Sequence, residues 1–281
     1  MRSTFIHESK HVASMAAHTA NGASLEASWL EEGTARHSEE LWAREKVYDM
    51  PWKGNNGYGS AASPKNIYCD LRPSGWPECA ANPRGPVSIM QRHFTSLYTN
   101  LIGTQSRLLS PFGATPSDNA SYWYATSWSL VRYAIDEFGT SDAEFLTALT
   151  QSSTTGVTNL AQRTGVSTER LLGEWALALS VDDYPGLPPG SDVQMPSWNM
   201  RNIYAGLNQD LPGTYTLAVP SQPENYAFGA VAPVNVTAIY GGGVRLFQFS
   251  GTQTQPQLVR MLGLNGGALP STIRLSIVRV E

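Results

Sequence analysis

The sequence predicts an α+β chain, with a mainly helical part over residues 1–205 followed by a small β-sandwich-like domain over residues 206–281. Three observations carry that reading. Apolar residues recur near a 3.6-residue period as far as about residue 181. After Leu211 the period drops to two and β-branched residues multiply. Between these stretches, glycine and proline fall in clusters that mark turns. The 281 residues allow one or two domains, and 41% hydrophobic with 10% aromatic residues suffice for a packed core, which excludes wholesale disorder.

Taken in order, residues 3–20 read as a helix whose apolar stripe is Phe5, Val12, Met15 and Ala16, closed by Asn21-Gly22. A second helix is expected over 24–44, with Ser24 as N-cap and Leu25, Trp29 and Leu30 opening its apolar side. Residues 49–85 are too rich in proline and glycine for a long element, and a loop of that length suits a cleft wall. Within it, Cys69 and Cys79 suit one loop-closing disulfide in an oxidising compartment and lie too far apart for a zinc knuckle. Further helices are expected at 86–102, 118–138, 141–151, 156–164 and 167–181. The span 182–196 is a break carrying Pro185, Pro188, Pro189 and Pro196. Strands are expected at 215–219, 234–240, 244–249, 258–262 and 273–280, with hairpin turns at 241–243 and 265–267.

Composition narrows the function classes. A net charge of −4 gives no reason to expect a nucleic acid partner. No apolar run approaches the ~20 residues a transmembrane helix needs. Charged residues are 15%, against a typical ~25%, and fifteen arginines stand against four lysines. That balance is common in exported bacterial proteins, so an extracellular, periplasmic or cell-surface location is expected.

The chemistry concentrates at His7-Glu8-Ser9-Lys10-His11, an HExxH motif. On a helix, i and i+4 share a face, so both imidazoles can hold one ion, with Glu8 beside them to take a proton from water. Imidazole and carboxylate donors with an open position suit catalytic Zn2+. Ser14 and Ala17 stand where the metzincin pattern needs Gly and His, and His18 is one place out of register.

With Trp29-Leu30-Glu31-Glu32-Gly33-Thr34-Ala35 some twenty residues on, the sequence resembles the gluzincin metallopeptidases, most closely the hyicolysin-like bacterial enzymes and more distantly the aminopeptidase-N-like ones. The resemblance implies a zincin-like catalytic part, a peptide or protein substrate and a third ligand at the Glu before Gly, which is Glu32. Glu31 competes by its spacing from His11. Adjacent helical residues point ~100° apart, so one of the two can face the ion. Glu39, seven residues after Glu32, matches a carboxylate of the aminopeptidase-N-like enzymes and would bond a ligand histidine. The segment from Tyr124 to Tyr133 is similar to a helix whose leading tyrosine donates to the oxyanion. The matching residue is Tyr124, with Tyr122 as alternate and Ser127 in place of the usual Gly. His93 is a further candidate donor. Asp182-Asp183 is a candidate cation site or a helix-end cap.

Relatives of this kind place a β-sheet ahead of the HExxH helix, whereas six residues precede His7 here, so the chain is expected to be a piece of a longer enzyme. Two other readings stay open. One is an inactive remnant whose zinc staples the fold. The other is an extracellular binding module centred on the β domain.

Overall fold

In a computed structural model, residues 2–58, 90–102, 112, 121–188, 190–216, 223–227, 245–250, 260–263, 266–271 and 273–279 are described. They form eight α-helices and a two-stranded sheet, an α+β composition dominated by helix. The helices are α1 (Arg2–Ala20), α2 (Ser28–Trp42), α3 (Gln91–Leu101), α4 (Ser121–Phe138), α5 (Asp142–Thr150), α6 (Gly156–Thr164), α7 (Thr168–Val181) and α8 (Met200–Asp210). No described helix is long and apolar enough to cross a membrane.

Helix α4 is the axis of the core. Both α2 and α3 pack on it, and α1 lies across α2. Its Trp128, Val131, Ala134 and Ile135 are buried, as the 3.6 period requires of a central helix. Phe94 of α3 meets Trp128 and Trp198 edge-on, at ring-centroid distances of 5.5 and 5.4 Å. The α2–α4 crossing is close because Gly33 faces the Ser127 backbone. A Cβ at position 33 would lie 2.9 Å from the Ser127 carbonyl oxygen.

Helix α2 begins at Ser28, four residues after the expected Ser24 cap. The cause lies in Glu26, whose carboxylate accepts from the Ala27 and Gly156 amides and from Asn159 Nδ2 (2.9 Å). That ties the preceding residues to the start of α6 and leaves Ala27 extended. At its other end α2 passes into a π-helical turn over Ala43–Tyr48, closed by Asp49 in the left-handed region (φ 58°). The turn carries Arg44 into the interior.

Opposite the α1 face of α2 lies a closed ionic cluster. Arg132 Nη1 donates to Asp142 Oδ1 (2.6 Å) and Glu40 Oε1 (3.2 Å), and Nη2 donates to Asp136 Oδ1 (2.7 Å). Arg44 pairs with Asp142, and His37 Nε2 lies 2.9 Å from the same carboxylate. Trp128 and Trp198 donate their indole N–H groups to Glu40 (2.6 and 2.8 Å), and Trp52 donates to Asp136 (2.8 Å). Burial alone would push Glu40 and Asp142 up. Arg132, His37 and Arg44 outweigh it and hold both carboxyls far below the usual range.

The stripe expected to bury α1 is turned outward. Phe5 is 73% exposed, Val12 64% and Met15 45%, while Ser14 and His18 are buried. The polar face of α1 packs on α2 because its partners there are carboxylates, which outbid the apolar stripe for that contact.

The remaining helices lie within a few residues of expectation. One was not anticipated: α8 follows the proline-rich break, capped by Asn199 accepting from the Asn202 amide (2.7 Å), and runs across the expected division at 205/206. Beyond it, β1 (Glu224–Ala227) and β2 (Phe247–Ser250) pair in parallel, Glu224 opposite Phe247 and Ala227 opposite Ser250. The segment 244–249 thus supplies a strand shifted toward Ser250. Tyr215 and Thr216 are not strand. Tyr215 is buried against Tyr98 (centroids 5.0 Å), and its amide closes a turn on Leu211. Among the described residues, 260–262 and 273–279 are not strand, and Leu275 and Ile277 are exposed. Of the expected 265–267 turn, Gly266 and Gly267 are described: the Gly263 amide donates to the Gly267 carbonyl, the Gly266 amide donates to the Gly263 carbonyl, and Gly266 takes φ 77°. The 234–240 strand, the 241–243 turn and the Cys69–Cys79 pairing lie outside the described residues.

Candidate metal centre

Helix periodicity puts His7, Lys10, His11, Ser14 and His18 along one face of α1. The same geometry aligns Glu32, Arg36 and Glu39 on α2. Where the two helices cross, His7, His11 and Glu32 converge, each offering one donor atom, with all three atoms within 4.8 Å of one another. Glu32 Oε2 lies 3.1 Å from His7 Nε2 and 3.6 Å from His11 Nε2. The imidazoles meet edge to face, centroids 4.8 Å apart.

Each imidazole has a carboxylate on its other nitrogen. Glu39 Oε1 lies 2.9 Å from His7 Nδ1, an ion-pair distance with the ring N–H off the line to the oxygen. His11 Nδ1 donates to Glu31 Oε1 at 2.8 Å. Glu31 therefore stands on the Nδ1 side of His11, and Glu32 on the Nε2 side of both histidines. Burial lowers the His7 pKa, but Glu32 and Glu39 together outweigh it and raise it to about 9, so in the metal-free chain this ring keeps a proton. Glu39 is itself held below the usual carboxylate range: burial opposes this, while His7, His93 and Arg36 prevail.

The donor set fits zinc in its chemistry: two imidazole nitrogens and a carboxylate oxygen, part-exposed, each imidazole backed by a second carboxylate. Charge fits as well. Glu8, Glu31, Glu32 and Glu39 stand against Lys10 and Arg36, a surplus of two negative charges once a metal has displaced the extra proton of His7.

Glu8 is exposed on α1 next to His7. Tyr124 is part-buried at the edge of the same region. Burial first, then the negative charge of Glu32, raise its hydroxyl above the ordinary tyrosine value, with Arg36 opposing and Glu8 adding. The Arg36 guanidinium lies 5.5 Å from the centre of the Tyr124 ring, and its Nη1 donates to Glu39 Oε2 (3.1 Å). Neither Arg36 nor the Lys10 and Ser14 contacts to Glu31 figured in the sequence reading. Their signal was helical phase, since Arg36 follows Glu32 by four and Ser14 follows Lys10 by four.

Other expected groups lie elsewhere. The His93 ring is not among the three converging donors; it is buried against Trp128 with Nε2 at 3.0 Å from the Arg36 carbonyl, and its charge bears on Glu39. His18, seven positions after His11 on α1, is buried and is not among the three converging donors. Asp182 accepts the Met195 and Met200 amides (2.8 and 2.6 Å) and Asp183 accepts from Asn55 Nδ2 (2.8 Å), so this pair ties loops and a helix start together. The Tyr122 side chain lies outside the described residues.

No protein-family model matches the chain, and neither the curated proteins nor the solved structures compared with it give a match.

Proposed function

We propose that this chain hydrolyses peptide bonds with zinc, as an exported metalloendopeptidase of gluzincin type. The observation that carries the reading is the convergence of His7 Nε2 and His11 Nε2 on Glu32 Oε2. The motif resemblance adds the reaction class, and the low-charge composition adds the export. The zincin-like architecture and the β-sandwich character of the C-terminal part belong to the same proposal, with the division placed beyond α8.

His7, His11 and Glu32 would hold the ion. Bound zinc supplies a Lewis acid that polarises the scissile carbonyl and acidifies water. Glu8 takes the proton from the attacking water and passes it to the leaving amine. Tyr124 donates a hydrogen bond to the carbonyl oxygen as charge builds there, a task for which its raised pKa keeps it protonated. Three ligands among the described residues would leave a position for water and substrate, as catalytic sites do and four-ligand structural sites do not.

The test is zinc stoichiometry and casein hydrolysis on the wild type, Glu8→Gln and Glu32→Gln. Glu8→Gln should keep one zinc per chain and lose about 10²–10⁴-fold in rate. Glu32→Gln should lose both the metal and the activity. A wild type that binds no stoichiometric zinc would sink the proposal. Zinc binding with no hydrolysis to lose would sink its catalytic part.

A further inference from the structure

Resting on the zinc reading above, we infer that Glu31 is a positioning residue for His11, locked in place by Lys10 and Ser14. Its two oxygens are both engaged. Oε1 accepts from His11 Nδ1 at 2.8 Å. Oε2 accepts from Lys10 Nζ at 2.7 Å and from Ser14 Oγ at 2.8 Å. Lys10 also reaches the Glu31 backbone carbonyl at 3.4 Å.

The three donors come from a little over one turn of α1, with Lys10 just before His11 and Ser14 one turn after it. The carboxylate cannot swing round to the Nε2 side of His11 without giving up all of them. Held there, it fixes the His11 proton on Nδ1 and leaves the Nε2 lone pair on the side of Glu32. The arrangement repeats at His7, where Glu39 takes the Nδ1 side and Arg36 takes Glu39. Each imidazole is thus followed by a carboxylate and each carboxylate by a cation. A cation behind the carboxylate holds it in place, so its oxygen stays aimed at the imidazole N–H.

This separates the roles of two adjacent glutamates by helical phase. Glu32 is the ligand, and Glu31 works through His11. The test is zinc affinity by chelator competition on Glu31→Ala, Glu31→Gln, Lys10→Met and Glu32→Ala, with the His11 tautomer read by long-range ¹H–¹⁵N NMR. Glu31→Ala should bind zinc about 10–100-fold more weakly and lose the fixed Nδ1 proton. Glu31→Gln still offers Nδ1–H a carbonyl oxygen and should stay within a few-fold of wild type. Lys10→Met should fall between them.

Circular dichroism and a urea midpoint on each metal-free variant report folding. If Glu31→Ala does not fold, the Lys10→Met affinity and tautomer decide. Wild-type affinity and an unchanged His11 tautomer in Glu31→Ala, or in Lys10→Met standing in for it, would overturn this inference and leave the zinc reading intact. Zinc lost from Glu31→Ala but kept by Glu32→Ala would overturn it by making Glu31 the ligand. A wild type without zinc would overturn both.

Discussion

Helix α2 carries two clusters of histidine and carboxylate on opposite faces, and they solve the same electrostatic problem differently. On the α4 side, His37, Glu40, Asp136 and Asp142 are fully or nearly fully buried and meet Arg44 and Arg132. Three indole N–H groups occupy further lone pairs. On the α1 side, His7, His11, Glu31 and Glu32 are part-exposed, Glu39 lies buried against His7, and carboxylates outnumber cations. In the first cluster every carboxylate meets a guanidinium. The second holds two histidine nitrogens and a carboxylate oxygen pointed at a common space. The comparison teaches that local composition does not separate a structural ionic core from a candidate metal centre. The difference lies in whether arginines reach the carboxylates and whether water reaches the histidines.

The largest effect that could break this comparison is on the closed side. Arg132→Met should destabilise the chain by about 3–5 kcal/mol, because it leaves Glu40, Asp136 and Asp142 buried with one guanidinium among them. A denaturant midpoint measures it, and a loss under 1 kcal/mol would mean that the cluster is not a closed unit.

Acid comes next. Glu40 and Asp142 have folded pKa values below their unfolded ones, so their contribution is present above about pH 4–5 and is lost as pH falls through the folded values. Urea midpoints taken from pH 7 to pH 3 should drop steeply for the wild type and more gently for Arg132→Met. Equal slopes would remove the cluster from the account.

The smallest effect lies on the outer face of α1. Val12→Ser should change stability by no more than about 0.5 kcal/mol, since that side chain is mostly exposed. A loss above 1.5 kcal/mol would show that the stripe is covered in solution.

How much of this was legible in the sequence depends on the range of the contact. Helix spans were legible because Asn21-Gly22, Gly139 and Gly165 punctuate them locally. The HExxH face was legible because i and i+4 are fixed by helix geometry. The choice between Glu31 and Glu32 needed the phase of α2 against α1, which no spacing within α2 supplies. The direction of the α1 stripe was misread for a related reason. Periodicity shows that a helix has two faces, and only the partner decides which one is buried. Arg132 and Asp142 reach α2 across about a hundred positions, a distance at which pattern carries no information. The α8 period at Met200, Ile203, Tyr204 and Leu207 was present, but it lay hidden behind the proline-rich break.

The contact between Gly33 and the Ser127 backbone bears on which length changes this protein can absorb. A residue added to or removed from α2 between Gly33 and Glu40 would rotate everything beyond it by about 100°. With Gly33 wedged against α4, the turn could not be shared out along the helix. Arg36 and Glu39 would leave the His7 side while Glu40 left its indoles, so both clusters would fail together. In the stretch from Gly22 to Leu25, ahead of the Glu26 tie and the wedge, slack can be taken up before the helix begins. Insertions and deletions should therefore collect there and be absent from the seven positions that follow Gly33.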